Sequence, residues 1–326
     1  MDGVSDKYIY LDWQVFKYCI TPRQDKHQST DNDFSLLIQK LKEKYRIPYS
    51  EGHIRDRANR YTPENRKNVE LDFESAEALN EQFCLGTSND GRLVMRKKPM
   101  LSFFDEILNK NDLAFAVEPL NFHDFQVDME KINRSHPLYP LLLQTNGILN
   151  SNYLSSYLEN VFRIIPTDND LYKNLRTETS RLNSSDLRNN QNPFDMKSHL
   201  DRLLNSMSPM IDALKYDRSQ LVSAWPSIAN RWFENSGIQQ PFPKDLLLIQ
   251  GYSLLDFHPL FNDKLKKRKN TADNIWRDGI HCYYASEASY YVTEDEKTRE
   301  KTKLLYDAYG IKTKVVDMAG FLCYFT

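Results

Sequence analysis

The end of the chain constrains the fold most. From residue 273 the pattern runs helix (273–285), strand (290–293, YYVT), helix (296–309) and strand (311–316), with Gly310 where a helix C-cap glycine belongs. Strand–helix–strand at this spacing predicts a right-handed crossover between neighbouring strands of a parallel sheet. The start of the chain suits the same sheet. Residues 8–12, YIYLD, form a short apolar run closed by an acid, which reads as a buried strand with a carboxylate at its carboxyl end. A helix is expected over 31–44 and another from Ser50. Helical periodicity then dominates 62–243, for example over 64–83, 153–162, 196–216 and 221–233, with a hairpin signal at Asn89-Asp90-Gly91 and a polar connection over 167–195. The prediction is an α/β fold: a parallel sheet flanked by helices, built from residues 1–61 and 270–326 and split by a mainly α-helical insertion over 62–269.

Composition removes several alternatives. The chain has 326 residues, 40% hydrophobic and 27% charged, enough to bury a core. It has only 10 glycines and neither GxGxxG nor GxxxxGK[ST], which leaves dinucleotide and P-loop readings without support. The net charge of -2 says nothing global about partners. Cys19, Cys84, Cys282 and Cys323 form no CxxC and read as reduced thiols. Acids stand at the start where a secretory leader would need basic residues, and no apolar run reaches membrane-spanning length. A cytoplasmic protein with no membrane partner is expected.

Ligands of α/β sheets bind outside the carboxyl ends of the strands. Asp12 and Asp295 occupy that kind of position. On the helix entering YYVT, Asp278, His281, Cys282 and Ala285 share one stripe, and His53 and Asp56 repeat a three-residue spacing after Ser50. Four carboxylates converging there would repel one another unless a cation sat among them. Oxygen ligands without cysteine favour Mg²⁺ or Mn²⁺. The alternative on residue type alone is a set of helix caps and surface acids.

At these residues the sequence resembles a PIN-like nuclease domain. In IWRDGIHCYYASEASYYVTEDEKTREKTKLLYDAYGIKTKVV, the positions Asp278, Ala285, Thr293 and Asp295 match the family's helix Asp, small residue and Thr-x-Asp strand end. YIYLDWQVFKY resembles the first strand with its terminal Asp12, and IPYSEGHIRD resembles the Ser-then-acid segment, with Asp56 where Glu is usual. The resemblance covers about residues 1–60 and 270–317. It implies a metal-dependent endonuclease in which Asp12, Asp56, Asp278 and Asp295 hold one or two Mg²⁺ or Mn²⁺ ions. The implied substrate is RNA, and the implied role a toxin-like or defence-associated effector or a processing enzyme. A structure-specific DNA nuclease and a catalytically silent RNA- or protein-binding module are the alternatives. Trp13 departs from the small polar residue that often follows the first Asp, and either narrows the pocket or stacks on a base.

Thr293, His281 and His53 are the auxiliary candidates, the histidines either orienting ligands or serving as satisfied core residues. Arg57 and Arg60 beside Asp56, and the run Lys264, Lys266, Lys267, Arg268 and Lys269 before the Asp278 helix, are candidate phosphate contacts; a solvated surface is the plain alternative. An active ribonuclease inside a cell also calls for control, by a regulatory protein partner or by self-association.

Overall fold

The computed structural model describes residues 7–88, 91–109, 212–235, 240–263 and 272–325, with short pieces between 125 and 149. In chain order the first elements are β1 (Ile9–Leu11), α1 (Trp13–Ile20), α2 (Gln28–Leu41), β2 (Tyr49–Ser50), α3 (Glu51–Ala58) and α4 (Arg66–Asn80). They are followed by β3 (Phe83–Thr87), β4 (Leu93–Lys97), α5 (Met100–Asn109), β5 (Phe125–Gln126), α6 (Tyr139–Gln144) and β6 (Ile148–Leu149). The rest comprises α7 (Arg218–Asn235), a π-turn at Leu246–Gln250 running into α8 (Gly251–Leu255), α9 (Ala272–Tyr284), β7 (Tyr290–Val292), α10 (Glu296–Tyr309), β8 (Lys314–Val316) and α11 (Met318–Leu322).

The fold is α/β. Its central feature is a three-stranded parallel sheet, β1-β7-β8, in register Ile9↔Tyr290↔Lys314. A second, mixed sheet, β2-β3-β4, joins it through a parallel bridge between Tyr8 and Arg46. β1 therefore has β7 on one side and the chain leading into β2 on the other, with Ile9 N–H donating to the Arg46 carbonyl at 2.9 Å. The strand Tyr49–Ser50 escapes a sequence reading because two residues carry no periodicity.

Alternation along β1 divides the core. Tyr8 and Tyr10 point into one apolar cluster, built with Tyr291 and residues of α7, α8, α9 and α10. Ile9 and Leu11 point into the other, with Val292 and residues of α1 to α5 and α11. Helices thus cover both faces, as buried parallel strands require. Both clusters draw on residues 62–269: Phe73, Ala76, Cys84 and Phe104 belong to one, and Trp225, Leu248 and Tyr252 to the other. Residues of the expected insertion thus pack in the same two clusters as residues of the expected sheet-bearing segments. The helices expected over 153–162 and most of 196–216, the polar connection over 167–195 and residues 264–269 lie outside the described residues.

Local chemistry fixes the helix starts nearest the sheet ends. Ser50 caps α3: its Oγ accepts from Gly52 N–H, and its own N–H donates to His53 Nδ1 at 3.0 Å, a capping box with histidine where glutamate is usual. Asp295 caps α10 by accepting from Thr298 N–H at 2.7 Å, and Gly310 ends that helix at φ 67°. Beside α10 lies a buried ionic clasp. Lys301 Nζ, fully buried, sits 2.9 Å from Asp256 Oδ1 and 2.7 Å from Asp263 Oδ2. No described helix is long and apolar enough to cross a membrane.

Candidate metal centre

Asp12 and Thr293 leave the carboxyl ends of β1 and β7, two adjacent parallel strands, and meet: Thr293 Oγ1 donates to Asp12 Oδ2 at 2.6 Å. The same hydroxyl accepts from Asp295 N–H at 3.3 Å, so the Thr-x-Asp turn is tied to the first acid. Asp12 stands at the N-cap of α1 yet makes no capping bond. An aspartate in that position ordinarily takes a helix N–H. Here its carboxylate is turned to Thr293 instead.

α9 lies against α3 and brings the next side chains in. Asp56, on α3, accepts from Arg277 Nε at 2.9 Å through Oδ1 and from His281 Nε2 at 3.0 Å through Oδ2. His281 Nδ1 lies 2.8 Å from the Tyr10 hydroxyl, which in turn lies 2.5 Å from Ser50 Oγ. The ring fits because residue 52 is glycine: a Cβ there would stand 2.8 Å from His281 Cε1. Arg277 is braced further by Asn274. Asp278, half-buried on the same helix, accepts no hydrogen bond from the described residues.

Electrostatics separates these acids. Burial pushes the Asp12 carboxyl above its ordinary value, with the charges of Asp56 and Asp295 adding to the shift and those of His281 and the Thr293 hydroxyl opposing it. Asp278 is raised much further, by burial and then by the charges of Asp12, Asp56 and Asp295. Burial alone would raise Asp56 as well, but its hydrogen bond to His281 and the charges of His281 and Arg277 hold it below the usual range. His281 is the counterpart. Burial disfavours its charged form, yet the bond to Asp56 and the Asp56 and Asp12 charges lift it above the ordinary histidine value. Among the described residues Asp56 has cationic hydrogen-bond partners, whereas Asp12 and Asp278 feel only the charges of His281 and Lys301, respectively, at a distance.

The sequence-derived candidates divide accordingly. Asp12, Asp56, Asp278, His281 and Thr293 come together; Asp12, Asp56 and His281 each offer a ligand atom within 4.8 Å of the others. Asp295 reaches the group through its charge on Asp12 and Asp278, while its side chain is exposed and caps α10. His53 proves to be a core tie. Its Nε2–H donates to the Leu11 carbonyl at 2.7 Å, Nδ1 accepts from Ser50, and burial, then the His281 charge, pushes its pKa down to about 3. Trp13 neither narrows a pocket nor offers a stacking face: it is buried edge-on to Phe73 and His53. Arg57 is paired with Asp72 at 2.7 Å, and Arg60 is exposed just beyond α3. Lys266, Lys267, Arg268 and Lys269 lie outside the described residues.

Arg277 was not legible as a partner of Asp56, since an arginine beside an aspartate on a helix faces a different direction from its neighbour. Tyr10 and Tyr291 read as core aromatics, which they are, but their hydroxyls lie under the acids. The Tyr291 hydroxyl is buried without a hydrogen-bond partner, and the Asp12 and Asp278 charges are the strongest it experiences. Set against protein-family models, curated proteins and solved structures, the chain matches none of them.

Proposed function

We propose that the chain is a metal-dependent endonuclease of the PIN-like kind, acting on RNA. The observation that carries this reading is the state of Asp12 and Asp278: two carboxylates raised by burial and mutual repulsion, neither of which accepts a hydrogen bond from a cationic side chain among the described residues. A hard divalent ion suits such a donor set, all oxygen and anionic. The unpartnered Tyr291 hydroxyl beneath it supports the same fit, since buried polar atoms are rarely left unsatisfied without a ligand or water to meet them. Mg²⁺ or Mn²⁺ bound there would polarise a phosphodiester and activate water.

The chain's own residues prepare the site. Asp12 and Asp278 would hold the ion, with Asp295 at the rim. Thr293 occupies one lone pair of Asp12 Oδ2 and fixes the carboxylate's rotation. Tyr10 and Asp56 grip the two ring nitrogens of His281 and fix its orientation. RNA as the substrate, and a toxin-like or defence-associated role under a regulatory partner, rest on the resemblance carried by Asp12, Asp56, Asp278, Thr293 and Asp295.

The test is direct. Labelled single-stranded RNA and DNA are incubated with the full chain and Mn²⁺ or Mg²⁺, alongside Asp278→Asn. RNA cleavage lost in the variant is the expected result. Cleavage of DNA alone would favour the structure-specific DNA nuclease, and no cleavage of either would remove the enzymatic reading.

A further inference from the structure

We propose that Arg277 and His281 stand in the place of a second cation, so that the site holds a single divalent ion between Asp12 and Asp278. This rests on the metal-centre reading above and adds a stoichiometry and a division of labour among the acids.

The geometry of Asp56 carries the argument. Both of its oxygens already receive N–H donors, Arg277 Nε at 2.9 Å and His281 Nε2 at 3.0 Å. Arg277 and His281 are almost fully enclosed, with side chains 7% and 1% exposed, while Asp56 is 22% exposed. A guanidinium remains charged at any pH a protein survives, and a buried arginine–carboxylate pair resists separation because parting leaves a bare charge inside. An ion placed at Asp56 would therefore face a fixed positive group at close range.

His281 is equally committed. To bond to Asp56, Nε2 must carry its hydrogen, and Nδ1 faces the Tyr10 hydroxyl at 2.8 Å. Neither ring nitrogen presents a lone pair to a metal. Gly52 lies close against the ring, since a Cβ there would stand 2.8 Å from Cε1 and 3.0 Å from either nitrogen. So the three atoms of Asp12, Asp56 and His281 that lie within 4.8 Å of one another include two that are spent on each other. Among the described residues, Asp278 has no donor and Asp12 a single one, from Thr293, so both retain coordinating capacity.

Mn²⁺ binding to the full chain tests this without reference to cleavage. Free Mn²⁺ is counted by electron paramagnetic resonance during titration, and electron spin-echo modulation reports any nitrogen bonded to the bound ion. Wild type should bind one Mn²⁺ per chain and show no directly coordinated nitrogen. Asp278→Asn should weaken binding by more than about 100-fold, whereas Asp56→Asn, an outer partner, should cost about 10-fold to 100-fold. Arg277→Met should admit a second ion, and Arg277→Lys should restore the count of one. Two ions on wild type, a coordinated imidazole nitrogen, or a count that stays at one in folded Arg277→Met would each overturn the inference and leave the metal reading standing. If Arg277→Met does not fold, the wild-type count and the nitrogen signal decide. Absence of any bound Mn²⁺ overturns both.

Discussion

The clasp on α10 and the pocket at the ends of β1 and β7 both bury carboxylates, and they are neutralised in opposite ways. In the clasp, Lys301 sits between Asp256 and Asp263, and Asp263 N–H donates to Asp256 Oδ1 at 2.8 Å. Burial works against the Lys301 charge, but the two carboxylates outweigh it and raise its pKa. In the pocket, Asp56 is likewise paired with Arg277 and His281, while Asp12 and Asp278 form no ion pair among the described residues. One fold thus pairs some of its enclosed acids directly with internal cations and leaves others, among the described residues, without such a pair. On the proposed reading, the unpaired acids are where an external cation would sit.

Substitutions on the two sides should differ in sign as well as size. Lys301→Met should have the largest effect, destabilising the chain by about 3–5 kcal/mol, because it strands two carboxylates in the interior. Urea denaturation measures it, and a loss below about 1 kcal/mol would mean that water reaches the clasp. The next effect is read in pH. The unfolded chain protonates His53 near 6.5, whereas the folded chain resists until about 3, so stability falls as the pH drops through that window. The slope from this residue alone is about 1.4 kcal/mol per pH unit, and His53→Gln should remove it. His281 has the opposite sign: its raised pKa adds stability that is fully present below the ordinary histidine value and lost as the pH climbs through the raised one. Nitrogen-15 spectra of the two rings across the same range would show which titrates first.

Gly52→Ala is intermediate. A Cβ 2.8 Å from His281 Cε1 must displace the ring, at a cost of about 1–3 kcal/mol by denaturation. Asp278→Asn should be the gentlest, between no change and a gain of about 1 kcal/mol without metal, since it removes repulsion and breaks no hydrogen bond. Mn²⁺ should raise the Tm of wild type, and Asp278→Asn should lose that rise. A destabilised Asp278→Asn would place the pocket in the same class as the clasp.

Much of this architecture was legible because it is local. YIYLD, YYVT and the Gly310 stop marked β1, β7 and the end of α10 with little error, since period and capping are properties of neighbouring residues. Asp12, Asp278 and Thr293 followed from their positions at strand ends and on one helix stripe. What stayed hidden depends on contacts between distant segments. Asp56 was legible by its spacing after Ser50, but Arg277 reaching it from α9 was not. His53 looked like a site residue by its spacing from Asp56, yet both nitrogens are taken by backbone groups. The Lys301 clasp left no trace, because its three members share no motif.

The pairing of the first strand has a consequence for how the protein is made. Thr293 and Asp12, which grip each other across the sheet, lie 281 residues apart in the chain. Domains acquire structure as they emerge from the ribosome, and contacts of such long sequence separation close last. While the 281 residues between them are being made, the chain carries Asp12 on a strand whose neighbour β7 does not yet exist. The pocket can be assembled only after β7 has emerged, so a message interrupted before Thr293 yields chains without it. Ribosome-bound chains arrested before Thr293 should accordingly show no Mn²⁺-dependent protection from proteolysis, and chains arrested well beyond α11 should show it.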